Sequence, residues 1–213
     1  MSLILDGTTG VPVTTVTGTL PVANGGSGVT TSTGTGAVVL GTSPSISGAV
    51  MSTMASSVLT SATAQASTSG TSINFTGIPS WVKRITVMFN GVSTNGTSLI
   101  IIQVGSGSFT TSGYLSSGVQ AGAANQATGL SATNGFLTTA GGGASNVTSG
   151  TTTLTNIGGN AWISGASMGF TNTTFGGVAG GNIGLGGTLD RVRITTVNGT
   201  DTFDAGSINI MYE

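Results

Sequence analysis

Cysteine and histidine are both absent from this chain of 213 residues. Without cysteine it can form neither disulfide bonds nor thiol intermediates, and cysteine usage gives no information on the redox compartment. Without histidine it lacks the most common general base and the most common neutral metal ligand. We therefore expect a protein that is not an enzyme and that holds no metal and no cofactor.

Charged residues are also scarce, at 4 % of the chain, against roughly a quarter in an average soluble domain. Five acids and four bases give a net charge of −1, which supplies no basic surface for nucleic acid. No apolar run approaches the roughly 20 residues of a transmembrane helix, so we expect no membrane insertion. The short run Leu3–Leu5 lacks a basic flank and is too short for a signal peptide. We expect a product of the cytoplasm that works outside a cell only as part of a larger particle.

Glycine is abundant, with 38 residues but no strict G-x-y period, which excludes collagen. Residues 1–57 set short apolar clusters among Gly, Thr and Ser, and Pro12, Pro21 and Pro44 interrupt them. One copy of this segment would bury too little apolar surface to offset its conformational entropy, whereas three copies could share one axis. We predict an extended attachment and shaft segment. A short helix near residues 48–59 stays open, because Met51, Met54 and Val58 have helical spacing.

Residues 58–213 carry a β pattern. Ile85, Val87 and Phe89 share one strand face, opposite mainly polar residues and Met88. Trp162, Met168 and Phe170 share another face, opposite Gly and Ser, while Leu99–Ile102 is apolar on both faces. Residues 61–67 and 71–78 suggest a hairpin, and 117–159 suggests long polar loops with a weak strand near Phe136. Short strands with frequent turns and almost no helix signal predict an antiparallel β-sandwich, jelly-roll-like in our first choice.

Two stretches resemble a known family of proteins. The string "NGGSGVTTSTGTGAVVLGTSPSISGAV" is similar to the shaft and linker of many bacteriophage tail fibres. The string "INFTGIPSWVKRITVMFNGVSTNGTS" resembles the opening of a domain that often forms their tip, and "GSINIMYE" fits its last strand. The resemblance covers Leu20–Thr97 and the final strands, whereas the middle of the chain matches nothing. It implies a homotrimeric fibre of the virion, attached to the phage tail or baseplate by its N-terminal part and touching the host surface with its tip.

The resemblance carries no site residues, so candidates come from the residues themselves. Tyr114 and Phe175 lie in loop-like settings, where either ring could stack on a sugar. Arg191 and Arg193 form one of two basic clusters, the other being Lys83 and Arg84. The basic clusters serve either solubility and cross-strand pairing or contact with phosphate or acidic sugar of a lipopolysaccharide. The receptor-binding candidates are therefore Tyr114, Phe175, Arg191 and Arg193.

The remaining chemistry-bearing residues favour structural roles. Asp201 and Asp204 are the one close pair of acids, and Asp is favoured in turns, although a cation or sugar site stays open. Trp81 and Trp162 lie within apolar alternation and predict core packing.

Three functions compete at this point. The first is a receptor-binding fibre whose tip loops hold a host surface polysaccharide through many weak contacts multiplied by avidity. The second is a structural fibre or spacer of the tail or baseplate. The third is a polysaccharide-cutting tailspike, which the scarcity of acids and the lack of a β-helix repeat disfavour. The long polar loops expected at 117–159 favour adhesion, because a spacer has little use for them.

Overall fold

The computed structural model describes residues 59–123 and 127–213. The predicted shaft at 1–57 lies outside these residues, and so does the helix question at 48–59, except for Leu59, which is in neither a helix nor a strand. The domain boundary at residues 57 and 58 therefore stays a prediction.

The described residues form an all-β structure without a helix, as the sequence predicts. Every paired strand is antiparallel to its neighbour. The strands are β1 Thr60–Ser61, β2 Gln65–Ala66, β3 Ser72–Thr76, β4 Arg84–Thr94, β5 Leu99–Ser106, β6 Ser108–Phe109, β7 Leu115–Ala121, β8 Ala127–Ala132, β9 Phe136–Gly141, β10 Thr148–Gly158, β11 Ala161–Phe170, β12 Gly176–Gly184, β13 Arg191–Thr196 and β14 Phe203–Tyr212.

Two sheets contain these strands. The larger sheet has nine strands in the order β1-β14-β4-β10-β11-β12-β7-β8, with β2 also paired to β14. The smaller sheet has five strands in the order β3-β13-β5-β6, with β9 also paired to β5. The described chain therefore begins at one edge of the larger sheet, and β8 forms the opposite edge.

The core lies between the sheets and follows the period of two that the sequence predicts. Ile85, Val87 and Phe89 of β4 are buried, and they belong to the same apolar cluster as Val192 and Ile194 of β13. Trp162, Met168 and Phe170 of β11 are buried on one face, as expected. Trp81 is only partly buried and packs against Tyr212, with 5.9 Å between ring centroids.

Strand β5 is covered on both faces, as its run of isoleucines predicts. Ile100 and Ile102 lie in the main core, whereas Ile101 joins a second cluster with Ala132 and Leu137. This second cluster forms because β7, β8 and β12 pack over β9, which is itself paired to β5. The far end of the larger sheet thus covers the side of β5 that faces away from the main core.

Two local predictions are wrong. Residues 61–67 and 71–78 do not form a hairpin, since β2 pairs with β14 while β3 pairs with β13 in the other sheet. A pairing along all five residues of β3, with Ile73 and Phe75 buried, outcompetes the two residues that β2 could offer. Residues 117–159 are not mainly loop, because most of β7 and all of β8, β9 and β10 lie there. Gly, Ser and Thr form these strands because ladder hydrogen bonds use the backbone.

Candidate functional site

Two of the four candidate receptor contacts share one face of the smaller sheet. Val192 and Ile194 of β13 point into the core and are fully buried. Arg191 and Arg193 alternate with them, so both project from the opposite, outer face. Arg193 lies beside Asn74 of β3 and Gln103 of β5 in the register of the sheet. The sequence predicted this alternation correctly but not the neighbouring strands.

Phe109 packs against both arginine side chains. The Cζ atom of Arg193 lies 3.9 Å from the centroid of the Phe109 ring, and that of Arg191 lies 5.6 Å from it. Gly105 permits this arrangement, because a side chain there would collide with the backbone of Ser108 in the returning strand β6. Gly107 closes the β5–β6 turn with a φ of 71°, a left-handed value that glycine adopts without strain. The turn sequence therefore places the aromatic ring over the guanidinium groups.

Arg193 is held in place through its Nε atom, while its terminal Nη atoms can still bind a ligand. Its Nε donates a hydrogen bond of 2.9 Å to Oδ1 of Asn74. Asn74 is fixed in turn, because its carbonyl accepts a 2.8 Å hydrogen bond from Nε2 of Gln65. Within the described residues, the terminal Nη atoms of Arg193 have no hydrogen-bond partner and no acid forms an ion pair with it. A preorganised guanidinium of this kind suits bidentate binding of phosphate or carboxylate.

Arg191 differs because Asp190 neutralises it. Its Nε and Nη2 donate hydrogen bonds of 2.7 and 3.1 Å to the two oxygens of the Asp190 carboxylate. The hydrogen bond from Arg191 lowers the pKa of Asp190, and the backbone N–H of Gly107 lowers it further. The same hydrogen bond raises the pKa of Arg191. We name Asn74, Phe109, Asp190, Arg191 and Arg193 the arginine face; its net charge of +1 comes from Arg193.

Tyr114 and Phe175, the other two receptor-binding candidates, are not part of the arginine face. Tyr114 is fully buried, and its ring packs edge-on against Phe136 at 5.0 Å between centroids. Its hydroxyl accepts from the N–H of Val104 at 2.8 Å and donates toward the carbonyl of Thr110 at 3.1 Å. The ring offers no surface to a sugar, so Tyr114 is withdrawn as a receptor contact. Phe175 is 40 % exposed in the β11–β12 connection of the larger sheet and packs over Gly122.

Asp201 and Asp204 make separate local contacts. Asp201 accepts hydrogen bonds from the N–H of Ser98 at 2.9 Å and from Nδ2 of Asn198 at 2.6 Å, which confirms its predicted role in a turn. Asp204 is exposed and accepts a hydrogen bond from the hydroxyl of Ser93. Among residues 59–123 and 127–213, no three His, Cys, Asp or Glu side chains are placed to hold a metal ion.

A second surface of the molecule is uncharged and partly apolar, in contrast to the arginine face. Residues 85–189 contain no Asp, Glu, Lys or Arg, and they form the whole of strands β5–β12. The outer face of β11, β12 and β7 exposes Leu115, Ile163 and Val178. A groove of about 540 Å³ lies there, with Leu115, Ile163 and Asn182 among its lining residues. We name the outer side of β11, β12, β7 and β8 the uncharged face.

The sequence did not reveal Phe109 and Asn74 as members of the arginine face. Phe109 follows a Gly-x-Gly turn in "GSGSF", which signals that the chain reverses after β5. That reversal brings Phe109 opposite Gly105, in the row that contains Arg191. The signal for Asn74 is weaker, because only the register of β3 on β13 brings it to Arg193.

Comparison with known proteins finds no matching family model, no matching curated protein and no matching solved structure. In the part of the chain that the structure describes, no helix is long and apolar enough to cross a membrane.

Proposed function

We propose that the chain is a subunit of a homotrimeric bacteriophage tail fibre. Residues 1–57 attach the fibre to the phage tail or baseplate, and the jelly-roll-like sandwich at 58–213 recognises a polysaccharide or lipopolysaccharide of the host surface. The antiparallel β-sandwich and the sequence strings that resemble fibre shafts and tips are consistent with this role. The proposed location is the virion, after synthesis in the host cytoplasm.

The observation that supports the proposal is the set of contacts that the Arg193 side chain makes. A guanidinium that stacks on Phe109, with Nε bonded to Asn74 and no acid of residues 59–123 and 127–213 paired to it, is preorganised for an anionic ligand. Phosphate and carboxylate groups of surface polysaccharides have the bidentate geometry that its Nη atoms match. The receptor contact therefore lies on the arginine face rather than on the loops at 117–159, which are mostly strands.

The affinity of one arginine face for an anionic group of the polysaccharide will be low. The presence of three such faces in one fibre compensates for it. Hydrogen bonds to charged groups contribute roughly 1.5–3 kcal/mol each. Three arginine faces in one fibre act together, because the second and third contacts are intramolecular once the first has formed. Loss of Arg193 removes all three contacts at once, so whole-cell binding will fall more steeply than the affinity of one site.

The test compares two arginine variants of the full chain on host cells. Arg193→Gln removes the unpaired charge, while Arg84→Gln removes an exposed arginine that is paired to Glu213 at the end of β4. Both variants lose one positive charge, so non-specific attraction changes equally. We expect Arg193→Gln to weaken cell binding at least tenfold and Arg84→Gln to leave it within about twofold, since a charged hydrogen bond is worth roughly 1.5–3 kcal/mol.

Other outcomes distinguish the competing functions. A wild-type chain that binds no host cell would support the structural spacer and overturn the receptor role. Equal losses in both variants would mean that net charge alone drives binding, which contradicts a site at Arg193. A fall in the viscosity of host polysaccharide would favour the tailspike enzyme instead.

A further inference from the structure

Strand β8 is an unprotected edge of the larger sheet. It pairs with β7 along all six of its residues without a register shift. Every second residue of such a strand directs its N–H and C=O away from its partner, toward the open side. Within the described residues, no group other than those of β7 forms a hydrogen bond with β8. The strand contains no charge, no proline and no bulge, which are the usual devices that protect an edge.

The other edges of the described sheets are shorter or partly occupied. At β3, which has five residues, the side chain of Gln65 lies against the edge and donates to the carbonyl of the middle residue, Asn74. At β9, Nε2 of Gln120 donates to the carbonyl of Thr139 at 2.7 Å, and Oγ of Ser116 accepts from the N–H of Leu137 at 2.9 Å. The remaining edge strands β1, β2 and β6 have two residues each, too few to template a ladder.

We propose that β8 pairs antiparallel with β8 of a second copy of this chain, which joins two larger sheets into one. Among the described residues, β8 is the longest edge strand with no side chain bonded to its open backbone groups, so its best match is the same strand of another copy. Two copies of an uncharged edge meet without repulsion between like charges, and residues 85–189 carry no charge anywhere. Leu130, half-buried beside the cluster of Ile101, Ala132 and Leu137, comes next to its counterpart and loses more of its exposed surface.

The pairing is twofold and is separate from the proposed threefold assembly. A twofold contact is isologous, because the same patch meets itself. Three such contacts between two trimers close a set of six copies with dihedral symmetry. If the chain is not trimeric, the same contact makes a dimer, so this inference does not depend on the proposed function.

The test uses two glycine positions whose substitution the fold tolerates. The space around the Cβ position of Gly129 in β8 is empty within 4 Å, and so is that of Gly165 in β11. Neither glycine has a left-handed φ, so lysine fits at both without backbone strain. Both glycines lie on the uncharged face, but Gly129→Lys places its charge on the edge strand, while Gly165→Lys places the same charge three strands away from β8.

Solution mass of the full chain gives the first readout. We expect the wild-type chain and Gly165→Lys to have the same mass and Gly129→Lys to have half of it: six copies falling to three, or two falling to one. An unchanged mass in Gly129→Lys would overturn the β8 pairing. An equal fall in both variants would show packing through the uncharged face instead, which also overturns it. A wild-type dimer would support the pairing while contradicting the homotrimer.

Cross-linking gives an independent readout, because the chain has no cysteine. Gly129→Cys supplies one thiol per copy near the middle of β8, and Thr76→Cys supplies one at the end of β3, an edge strand of the smaller sheet. A short bis-maleimide linker should join two Gly129→Cys copies and leave Thr76→Cys copies unjoined. Absence of the Gly129→Cys cross-link would contradict the pairing, because antiparallel self-pairing brings the two strand centres together.

Discussion

The arginine face and the uncharged face are built on the same strand geometry and present different chemistry. On β13, inward Val192 and Ile194 alternate with outward Arg191 and Arg193. On β11, inward Trp162 and Met168 alternate with an outward side that holds Ile163, Gly165 and Ser167. The inward residues serve one shared core in both cases. The outward residues set the chemistry that each face presents: a guanidinium stacked on Phe109 at the arginine face, and exposed apolar side chains such as Ile163 and Val178 at the uncharged one.

This contrast separates stability from recognition. The core positions hold the two sheets together, so their loss should unfold the protein. The outward positions on both faces contribute little to folding, because exposed side chains and exposed charge pairs are worth little. Variants on the two outer faces should therefore change contacts with other molecules while leaving the fold in place.

The largest effect should come from the core side of β13. Ile194 is fully buried, so Ile194→Ala should lower the free energy of unfolding by about 2–5 kcal/mol, the range for deleting a buried aliphatic side chain. Val178→Ala on the uncharged face and Arg193→Ala on the arginine face should each cost less than about 1 kcal/mol. Urea unfolding of the three variants checks this order. A loss at Val178 as large as that at Ile194 would show that the uncharged face is a folding surface.

The next effect should appear at high pH, because Tyr114 is the one titratable side chain between residues 85 and 189. Burial raises its pKa from 10.0 to about 12. The folded state therefore holds this proton more tightly than the unfolded state, so stability is full below pH 10 and falls as the pH rises toward 12. The loss should reach about 2–3 kcal/mol at pH 12, since each pH unit is worth about 1.4 kcal/mol.

Tyr114→Phe is the control for this titration. The variant should lose stability at neutral pH, because the N–H of Val104 loses its hydroxyl partner. Its stability should then vary less between pH 10 and 12 than that of the wild type. An identical alkaline slope in the wild type and in Tyr114→Phe would contradict the assignment to Tyr114.

At acid pH the stability changes with the opposite sign. The pKa of Asp190 is lowered in the folded state, so its contribution to stability is present above pH 3.8 and is lost as the pH falls.

The smallest effect should come from the aromatic ring of the arginine face. Phe109→Leu keeps an apolar side chain over Gly105 but removes the π-face under Arg193. A cation–π contact is worth about 0.5–2 kcal/mol, so host-cell binding should weaken about two- to thirtyfold while stability changes little. The change should vanish in an Arg193→Gln background, because the cation is already gone. Additive losses in the double variant would show that Phe109 contacts the receptor directly.

The sequence predicted the β class and the inward residues of the long strands. Alternation at Ile85, Val87 and Phe89 and the doubly apolar run at 99–102 are strong signals, because burial on one or both faces dictates them. The same reasoning failed at 117–159. Strands β7 and β8 carry Gly, Ser and Ala on both faces, so they lack the alternation that marks a half-buried strand. Their pairing depends on neighbouring strands that are distant in sequence.

The candidate site could be predicted only in part, for a related reason. Local alternation was enough to place Arg191 and Arg193 on one face. Phe109 and Asn74 reach them through the register of β5, β6 and β3, which local sequence does not specify. For Tyr114 the local sequence gave the wrong prediction. Its polar neighbours in the sequence suggested an exposed loop, but its ring is buried in the core, where it contacts Phe136 and Val104.

Hydrogen exchange of the full chain, with and without polysaccharide from the host surface, tests the contrast between the two faces most directly. We predict that polysaccharide slows exchange in peptides that cover 103–109 and 190–193. Residues 127–132 should exchange slowly in both states, because the proposed pairing of β8 with a second copy protects its open backbone groups. Protection by polysaccharide at 115–119 and 178–182, together with fast exchange at 127–132, would contradict both assignments at once.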